Sequence, residues 1–183
     1  SQYGDSRLDY PLFANHPYRS GQATSFDRLN LRSGSHDSFF WLANPNNPSN
    51  SGGLIKGDAL YLRNRWMNDM QFRMGQPALH GRWVQVFVNG AYRGQYHFLE
   101  HPNSDFQASY LGGDESEYEF TNGANASKTG SDNWQAIWSQ VKSAGSTGGN
   151  AARDWIDFDN LSDYMILNFY AGNPWDWNPN QNW

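Results

Sequence analysis

The amino-acid sequence predicts a single domain of the α+β class, spanning residues 1–183. Two observations indicate the class: apolar residues alternate with a period of two in some segments and recur at helical spacing in others. A third indicates a packed core, since 9 Trp, 10 Tyr and 11 Phe bring the aromatic content to 16%. Disordered chains are poor in such residues because they cannot offset ordering entropy by burial. The composition does not shift at any point that would mark a domain boundary.

Charge, cysteine content and hydropathy exclude several classes of protein. The net charge is −5 and the acidic residues are scattered, so we expect no nucleic-acid partner. Without cysteine the chain can form neither disulfides nor a thiolate zinc site, and it has no cysteine nucleophile. A mean hydropathy of −0.83 and the lack of a long apolar run argue against a transmembrane segment. The sequence does not indicate an oligomeric state.

The first half of the chain is predicted to hold one strand and one helix. After an extended arm over residues 1–25, alternating side chains predict a strand over residues 26–31. An Asn-, Pro-, Ser- and Gly-rich stretch over residues 44–57 is typical of a surface loop. Asp58 then caps a helix that runs to about Met74. The predicted apolar face of this helix consists of Leu62, Trp66, Met70 and Met74.

A β-hairpin is the clearest local feature of the sequence. Strands over residues 83–88 and 92–99 flank Asn89 and Gly90, a pair that suits the positive φ angles of a type I′ turn. Apolar spacing then predicts a short amphipathic helix over residues 134–141. A flexible stretch is predicted over residues 143–150. A last helix begins at Asp159 or Asn160 and ends at Gly172. Its predicted face consists of Leu161, Tyr164, Met165 and Asn168.

His97, Glu100 and His101 match the H-x-x-E-H pattern, in which two histidines bind zinc and the glutamate acts as general base. That chemistry needs a helix, so that residues four apart share one face. Here the segment continues the predicted hairpin and runs into Pro102, which fits neither a helix interior nor a strand ladder. The sequence therefore favours a strand end with surface histidines over the zinc site.

A carboxylate followed by amides lies near the end of the given sequence. Asp176 precedes Asn182 in a stretch dense in Trp and Asn. In phosphoryl transfer an aspartate accepts the proton of the substrate hydroxyl, and an asparagine oxygen helps to hold the metal. The alternative is an ordinary polar loop. Arg32 and Asp37, around a glycine turn, form either a phosphate-facing loop or an ion-paired turn. Glu100 is either a buried carboxylate with a cationic partner or a charge at a strand end.

The aromatic surplus supports a further hypothesis, a carbohydrate-binding surface. Rings of Trp and Tyr stack on sugars, and neighbouring Asn, Asp and Gln side chains bond the hydroxyl groups. The alternative is that most of the rings belong to the core. Periodic placement favours the core for Trp66, Trp83, Trp134 and Trp138.

Seven short segments carry a resemblance to a known family. They are residues 8–13, 29–34 with Asp37, 86–96, 100–102, 172–173, 176–177 and 182–183. The most specific is the N-G-x-Y-x-G-x-Y hairpin that begins at Asn89 and is followed by Glu100. In this order, over nearly the whole chain, the segments resemble the spore-coat protein H (CotH) kinase-like family.

The resemblance implies an atypical protein-kinase-like fold with a central antiparallel hairpin and flanking helices. It also implies transfer of phosphate from ATP to serine hydroxyls of a protein substrate, with Mg²⁺ or another divalent cation. By resemblance, Asp176 would be the catalytic aspartate and Asn182 a metal-side amide. Arg32 and Glu100 would help to organise the nucleotide pocket. The expected location is secreted or at the cell surface.

The chain departs from the family pattern at both ends. Family members begin earlier, with a lysine-containing strand, and continue to a further strand whose Trp-Asp pair supplies a metal ligand. A lysine often found in the family is also missing at residues 120–122. We therefore expect an incomplete fold with little or no kinase activity by itself. The alternatives are a non-catalytic extracellular or surface module that binds carbohydrate through its aromatic residues and, third, a zinc metallopeptidase.

Overall fold

The computed structural model of the protein describes residues 6–18, 23–34, 60–119 and 133–172. Helices and antiparallel strands are both present, which confirms the α+β class. Among the described residues, no helix is long and apolar enough to cross a membrane. In chain order the elements are β1 (Leu8–Asp9), β2 (Ser25–Phe26), β3 (Leu29–Arg32), α1 (Arg63–Arg73), β4 (Gly81–Val88), β5 (Ala91–Glu100), α2 (Ser104–Leu111), a 3₁₀ turn (Glu115–Glu117), α3 (Asn133–Ser143), a 3₁₀ turn (Gly145–Thr147), α4 (Gly148–Ala152) and α5 (Phe158–Tyr170).

Backbone contacts divide the chain into two compact units. The first comprises Ser1–Arg73 and Pro77–His101, and the second comprises Met74–Gln76 and Pro102–Trp183. Of the elements above, the first unit holds all five strands and α1, and the second holds the other helices. The assignment of residues 1–183 to one domain stays a prediction.

The first unit contains two antiparallel sheets. One pairs β1 with β2, and the other has the strand order β3-β5-β4. The predicted hairpin is confirmed, because Asn89 and Gly90 have φ angles of 51° and 79° between β4 and β5. The register of this hairpin shifts between Val86 and Phe87, where the ladder is irregular.

The predicted strand over residues 26–31 is confirmed only in part, because the chain changes sheets within it and forms two strands, β2 and β3. Phe26 pairs with Leu8 in the small sheet, whereas Leu29 pairs with Glu100 in the three-stranded one. The alternation of apolar and polar side chains continues across this change of sheet. The sequence pattern could therefore not reveal where one strand ended and the next began.

Helix α1 begins at Arg63, and Asp58 lies outside the described residues. Its predicted apolar face is confirmed only in part: Met70 and Met74 are half-buried, but Leu62 and Trp66 are exposed. Phe72 is the buried residue of the helix. The face that packs inward instead carries Arg65, Asp69 and Phe72, at helical spacing. This face carries an ion pair and a single aromatic ring. Apolar periodicity in the sequence therefore does not indicate it.

The second unit is helical in its described part. Helix α2, which the sequence analysis missed, begins where the Asn103 side chain accepts a hydrogen bond from the backbone N–H of Phe106. The predicted helix over residues 134–141 is confirmed as α3. The predicted flexible stretch at 143–150 is wrong, because it forms the second 3₁₀ turn and α4.

The last helix, α5, is confirmed but begins earlier than predicted. Asp157 accepts a hydrogen bond from the backbone N–H of Asn160, so the cap precedes the predicted start. Leu167 and Asn168 are the buried residues of α5, whereas the predicted face residue Leu161 is exposed. Helix α5 is followed by Gly172 with a φ of 60°, in agreement with the predicted end.

Candidate functional site

The first unit buries a carboxylate and an imidazole at the open end of its hairpin. We define the hairpin base as residues 80–83 and 97–100, and the hairpin tip as residues 85–92. Glu100 is the last residue of β5, and His80 directly precedes β4. Gly81 pairs with Leu99, so the register brings His80 and Glu100 together. Their exposed fractions are 0% and 2%, respectively.

Three hydrogen bonds join His80 to Glu100. The backbone N–H of His80 donates to Glu100 Oε2 at 2.7 Å, and Nδ1 of its imidazole lies 2.9 Å from the same oxygen. The backbone N–H of Glu100 in turn donates to the carbonyl oxygen of His80 at 3.0 Å. A carboxylate oxygen only accepts, so Nδ1 is the donor to Oε2. The pair is therefore fixed at both backbone and side chain.

Aromatic rings surround the His80 imidazole. The ring of Phe72 lies 4.6 Å from it, that of His16 lies 4.9 Å away, and that of Phe13 stacks on it at 6.1 Å. Burial among rings lowers the local dielectric and strengthens hydrogen bonds that are satisfied. It also makes a polar group without a partner costly. The pair is consequently both strong and expensive to break.

An ion pair on α1 adjoins the buried pair. Arg65 Nη2 lies 2.6 Å from Asp69 Oδ1, and Arg65 Nη1 donates to the carbonyl oxygen of Leu79 at 3.0 Å. Nε2 of His16 lies 3.6 Å from the same Asp69 oxygen. Burial, followed by the nearby Arg65 and His80, lowers the pKa of His16 to about 4. His16 is therefore neutral at neutral pH.

His97 lies on the face of the sheet opposite to Glu100, and it is buried, so the prediction of a surface histidine is wrong at this position. Its ring packs against Trp83, with the centroids 4.9 Å apart, and only 3% of the residue is exposed. Burial, with the neighbouring Arg65 and Arg32, lowers the pKa of His97 to about 4. Within the described part of the chain, its Nε2 has no hydrogen-bond partner. A Cβ on Gly81 would lie 2.7 Å from this Nε2, so the ring packs directly on the glycine.

Arg32 and Glu100, the two predicted nucleotide-pocket residues in the described part of the chain, are not brought together. Arg32 pairs with His97 across β3 and β5, whereas Glu100 pairs with Leu29. Successive side chains of a strand point to opposite faces, so positions three apart lie on different faces of the sheet. Arg32 is exposed, whereas Glu100 is buried. The two residues therefore lie on different faces of the sheet, one exposed to solvent and the other in the core.

The geometry does not favour zinc at His97, Glu100 and His101. The first two lie on β5 rather than on a helix, and their side chains point to opposite faces of the sheet. Nδ1 of His101 lies 3.0 Å from Oδ1 of Asn30, and Glu100 is held by His80. Among the residues that the structure describes, no group of three or more His, Asp or Glu side chains could hold a metal ion.

Several predicted residues lie outside the part of the chain that the structure describes. These are Asp176, Asn182 and Asp37, together with the side chains of Trp134 and Trp138. Of the other two tryptophans predicted in the core, Trp83 is half-buried and Trp66 is exposed. The core assignment of Trp66 is wrong, because α1 turns its Phe72 face inward.

No sequence motif indicated His80, His16 or the Arg65–Asp69 pair. The hairpin held a partial signal for His80. A regular hairpin with its turn at Asn89 and Gly90 would place Leu79 opposite Glu100. The irregularity at Val86 shifts the pairing by one residue, so that His80 lies there instead. Nothing in the sequence pattern indicates this irregularity.

These features define an α+β protein whose hairpin base buries a carboxylate bound to an imidazole. Residues 56–178 match the family model described as CotH kinase protein. The match covers more than half of the chain, and the chain belongs to the CotH kinase protein family. It includes Glu100 and Asp176, whereas Arg32 and Asn182 lie outside the matched region. No curated protein and no solved structure matches the chain significantly.

Proposed function

We propose that the chain is part of an atypical, ATP- and divalent-metal-dependent protein kinase that transfers phosphate to serine hydroxyls. The observation that carries the proposal is the family match over residues 56–178, which spans both Glu100 and Asp176. A kinase-like fold belongs to the same proposal. The α+β architecture with a central antiparallel hairpin agrees with it.

Glu100 and Arg32 take different roles in this proposal. Glu100 is 2% exposed, so it acts by positioning its neighbours rather than by touching a nucleotide. Arg32 is exposed at the end of β3, and a guanidinium in that situation is suited to bind a phosphate by charge-assisted hydrogen bonds. The buried pair supports the pocket, and Arg32 contributes the positive charge.

Asp176 and Asn182 supply the chemistry of transfer. Asp176 accepts the proton of the attacking serine hydroxyl, and Asn182 contributes an amide oxygen toward the cation. Carboxylate and amide oxygens are the donors that Mg²⁺ prefers. A divalent cation held by these oxygens would neutralise charge on the phosphates. The acceptor is a serine of a protein substrate, and we place the protein outside the cell or at its surface.

Transfer of labelled phosphate tests the proposal. The full-length protein, incubated with γ-labelled ATP and Mg²⁺, should incorporate label on serine, and a chelator should abolish the incorporation. Asp176→Ala should lower the rate by roughly 100-fold or more, because the general base is lost. Asp154→Ala, an exposed aspartate in a turn, is the matched control and should label like the wild type. Equal labelling by Asp176→Ala would remove Asp176 from this role.

A second candidate is a non-catalytic, carbohydrate-binding module. The observation that favours it is a pair of exposed rings at the hairpin tip: Phe87 and Tyr92 are 62% and 57% exposed, with centroids 5.2 Å apart. The Tyr92 hydroxyl donates to Oε1 of Gln85, which places a polar amide next to the Tyr92 ring. Titration with soluble polysaccharides tests it. Binding that Phe87→Ala abolishes, together with no ATP-dependent labelling, would favour this candidate over the kinase.

A further inference from the structure

We infer that His80 is a positioning residue, which holds the Glu100 carboxylate in the orientation that nucleotide binding requires. The inference rests on the proposed kinase function and adds a residue that neither the family match nor the sequence motifs single out. The observations behind it are the bonds between the two residues, the packing of the imidazole, and the location of Glu100 at the end of β5.

The bonds constrain the carboxylate as well as the backbone. Oxygen Oε2 of Glu100 is bonded by two groups of one residue, the backbone N–H of His80 at 2.7 Å and its Nδ1 at 2.9 Å. Two donors on one oxygen, one from the backbone and one from the imidazole, restrict where that oxygen can lie. The return bond from Glu100 N–H to His80 O, at 3.0 Å, keeps the two backbones in register.

Packing holds the imidazole in turn. The Phe72 ring lies over it at an interplanar angle of 33°, and the Phe13 ring lies at 23°. Phe13, Phe72 and His80 are all buried, so the ring has little room to rotate. The core therefore holds the His80 ring in place, and the ring in turn holds the Glu100 carboxylate.

The donor must lie at the δ position of residue 80. Nδ1 makes the contact, and it is attached directly to Cγ. An asparagine side chain carries its nitrogen at the same position, whereas a glutamine carries it one atom farther out. His80→Asn and His80→Gln thus introduce the same amide and remove the same ring, but only the asparagine can restore the donor to Oε2.

Calorimetric binding of ATP to the full-length protein, with melting temperatures measured in parallel, tests the inference. We expect both variants to melt below the wild type by similar amounts, because both lose the packed ring. His80→Asn should keep the dissociation constant for ATP within about threefold of the wild type, and His80→Gln should raise it by about tenfold. Tyr92→Phe, at the far end of the same hairpin, is the control for a lost hydrogen bond away from the site.

A purely structural role for His80 would make the two variants alike in ATP binding, and that result would overturn the inference. A wild type that binds no ATP would instead overturn the proposed function, and the role of His80 with it. If His80→Gln does not fold, Glu100→Asp replaces it, because the shorter side chain withdraws its carboxylate from Nδ1 while the charge stays. Unchanged ATP binding by a folded Glu100→Asp would overturn the inference as well.

Discussion

The base and the tip of the β4–β5 hairpin differ in the kind of side chain that each of them buries. At the base, His80, His97 and Glu100 are all at least nine-tenths buried, whereas at the tip Phe87 and Tyr92 are more than half exposed. Globular proteins usually bury rings and expose charges. Burying the polar groups of the base costs free energy unless each finds a partner, and the His80–Glu100 pair shows how that cost is met.

The difference separates what the two regions do for stability. A buried pair is costly to break, because the remaining partner stays desolvated, whereas exposed side chains contribute little. A buried ion pair or hydrogen-bonded pair is also weak evidence for stability, since apolar residues of similar volume often serve as well. This agrees with the role in nucleotide binding that we propose for the pair, and substitutions at the two ends should distinguish a contribution to binding from one to stability.

The largest effect is expected from breaking the buried pair. His80→Leu leaves the Glu100 carboxylate buried without its imidazole partner and should lower the free energy of unfolding by about 3–5 kcal/mol. Chemical denaturation measures the loss. The double variant His80→Leu/Glu100→Leu should recover part of it, because no buried charge remains. A double variant less stable than His80→Leu would contradict this reading of the base.

A smaller effect is expected from filling the close approach at Gly81. A Cβ there would lie 2.7 Å from His97 Nε2 and 2.9 Å from both Arg65 Nη1 and Leu99 Cβ. Gly81→Ala should therefore lower the free energy of unfolding by about 1–3 kcal/mol. Gly149→Ala is the matched control, because nothing lies within 4 Å of its Cβ, and its helical position should make it neutral or stabilising. Equal effects of the two substitutions would refute tight packing at the base.

Acid should destabilise the first unit at a pH set by two histidines, His97 in the hairpin base and His16 beside it. The folded-state pKa values of His16 and His97 are both about 4. An unfolded histidine binds its proton near pH 6.5, so the unfolded chain takes up protons first as the pH falls. Their contribution is complete above pH 6.5 and is lost progressively between there and about pH 4.

Thermal unfolding across that pH range checks this prediction. His97→Gln cannot be protonated, so its stability should depend less steeply on pH than that of the wild type. Tyr92→Phe, at the tip, should keep the wild-type slope. A slope that His97→Gln leaves unchanged would show that His97 does not titrate with unfolding.

The smallest effect is expected at the tip. Tyr92→Phe removes the exposed hydrogen bond to Gln85 and should change the free energy of unfolding by less than about 0.5 kcal/mol. The same denaturation assay measures it. A loss as large as that of His80→Leu would abolish the distinction between base and tip.

Local signals made the hairpin predictable, whereas tertiary packing decided the rest of the first unit. Asn89 and Gly90 carry their turn preference in their own backbone chemistry, so the strands around them were predictable. The inward face of α1 was not, because an Arg65–Asp69 pair is indistinguishable in sequence from a solvated one. Glu100 was identified through its family resemblance, and its partner depended on a shift in register at Val86.

Binding of ATP to variants at the two ends of the hairpin tests the central claim most directly. Glu100→Asp keeps the charge, but its shorter side chain withdraws the carboxylate from the His80 imidazole. With the full-length protein and Mg²⁺, calorimetry should show a dissociation constant about tenfold higher for Glu100→Asp, and one within about twofold of the wild type for Tyr92→Phe. A folded Glu100→Asp that binds ATP as tightly as the wild type would contradict the claim that the buried base serves the nucleotide.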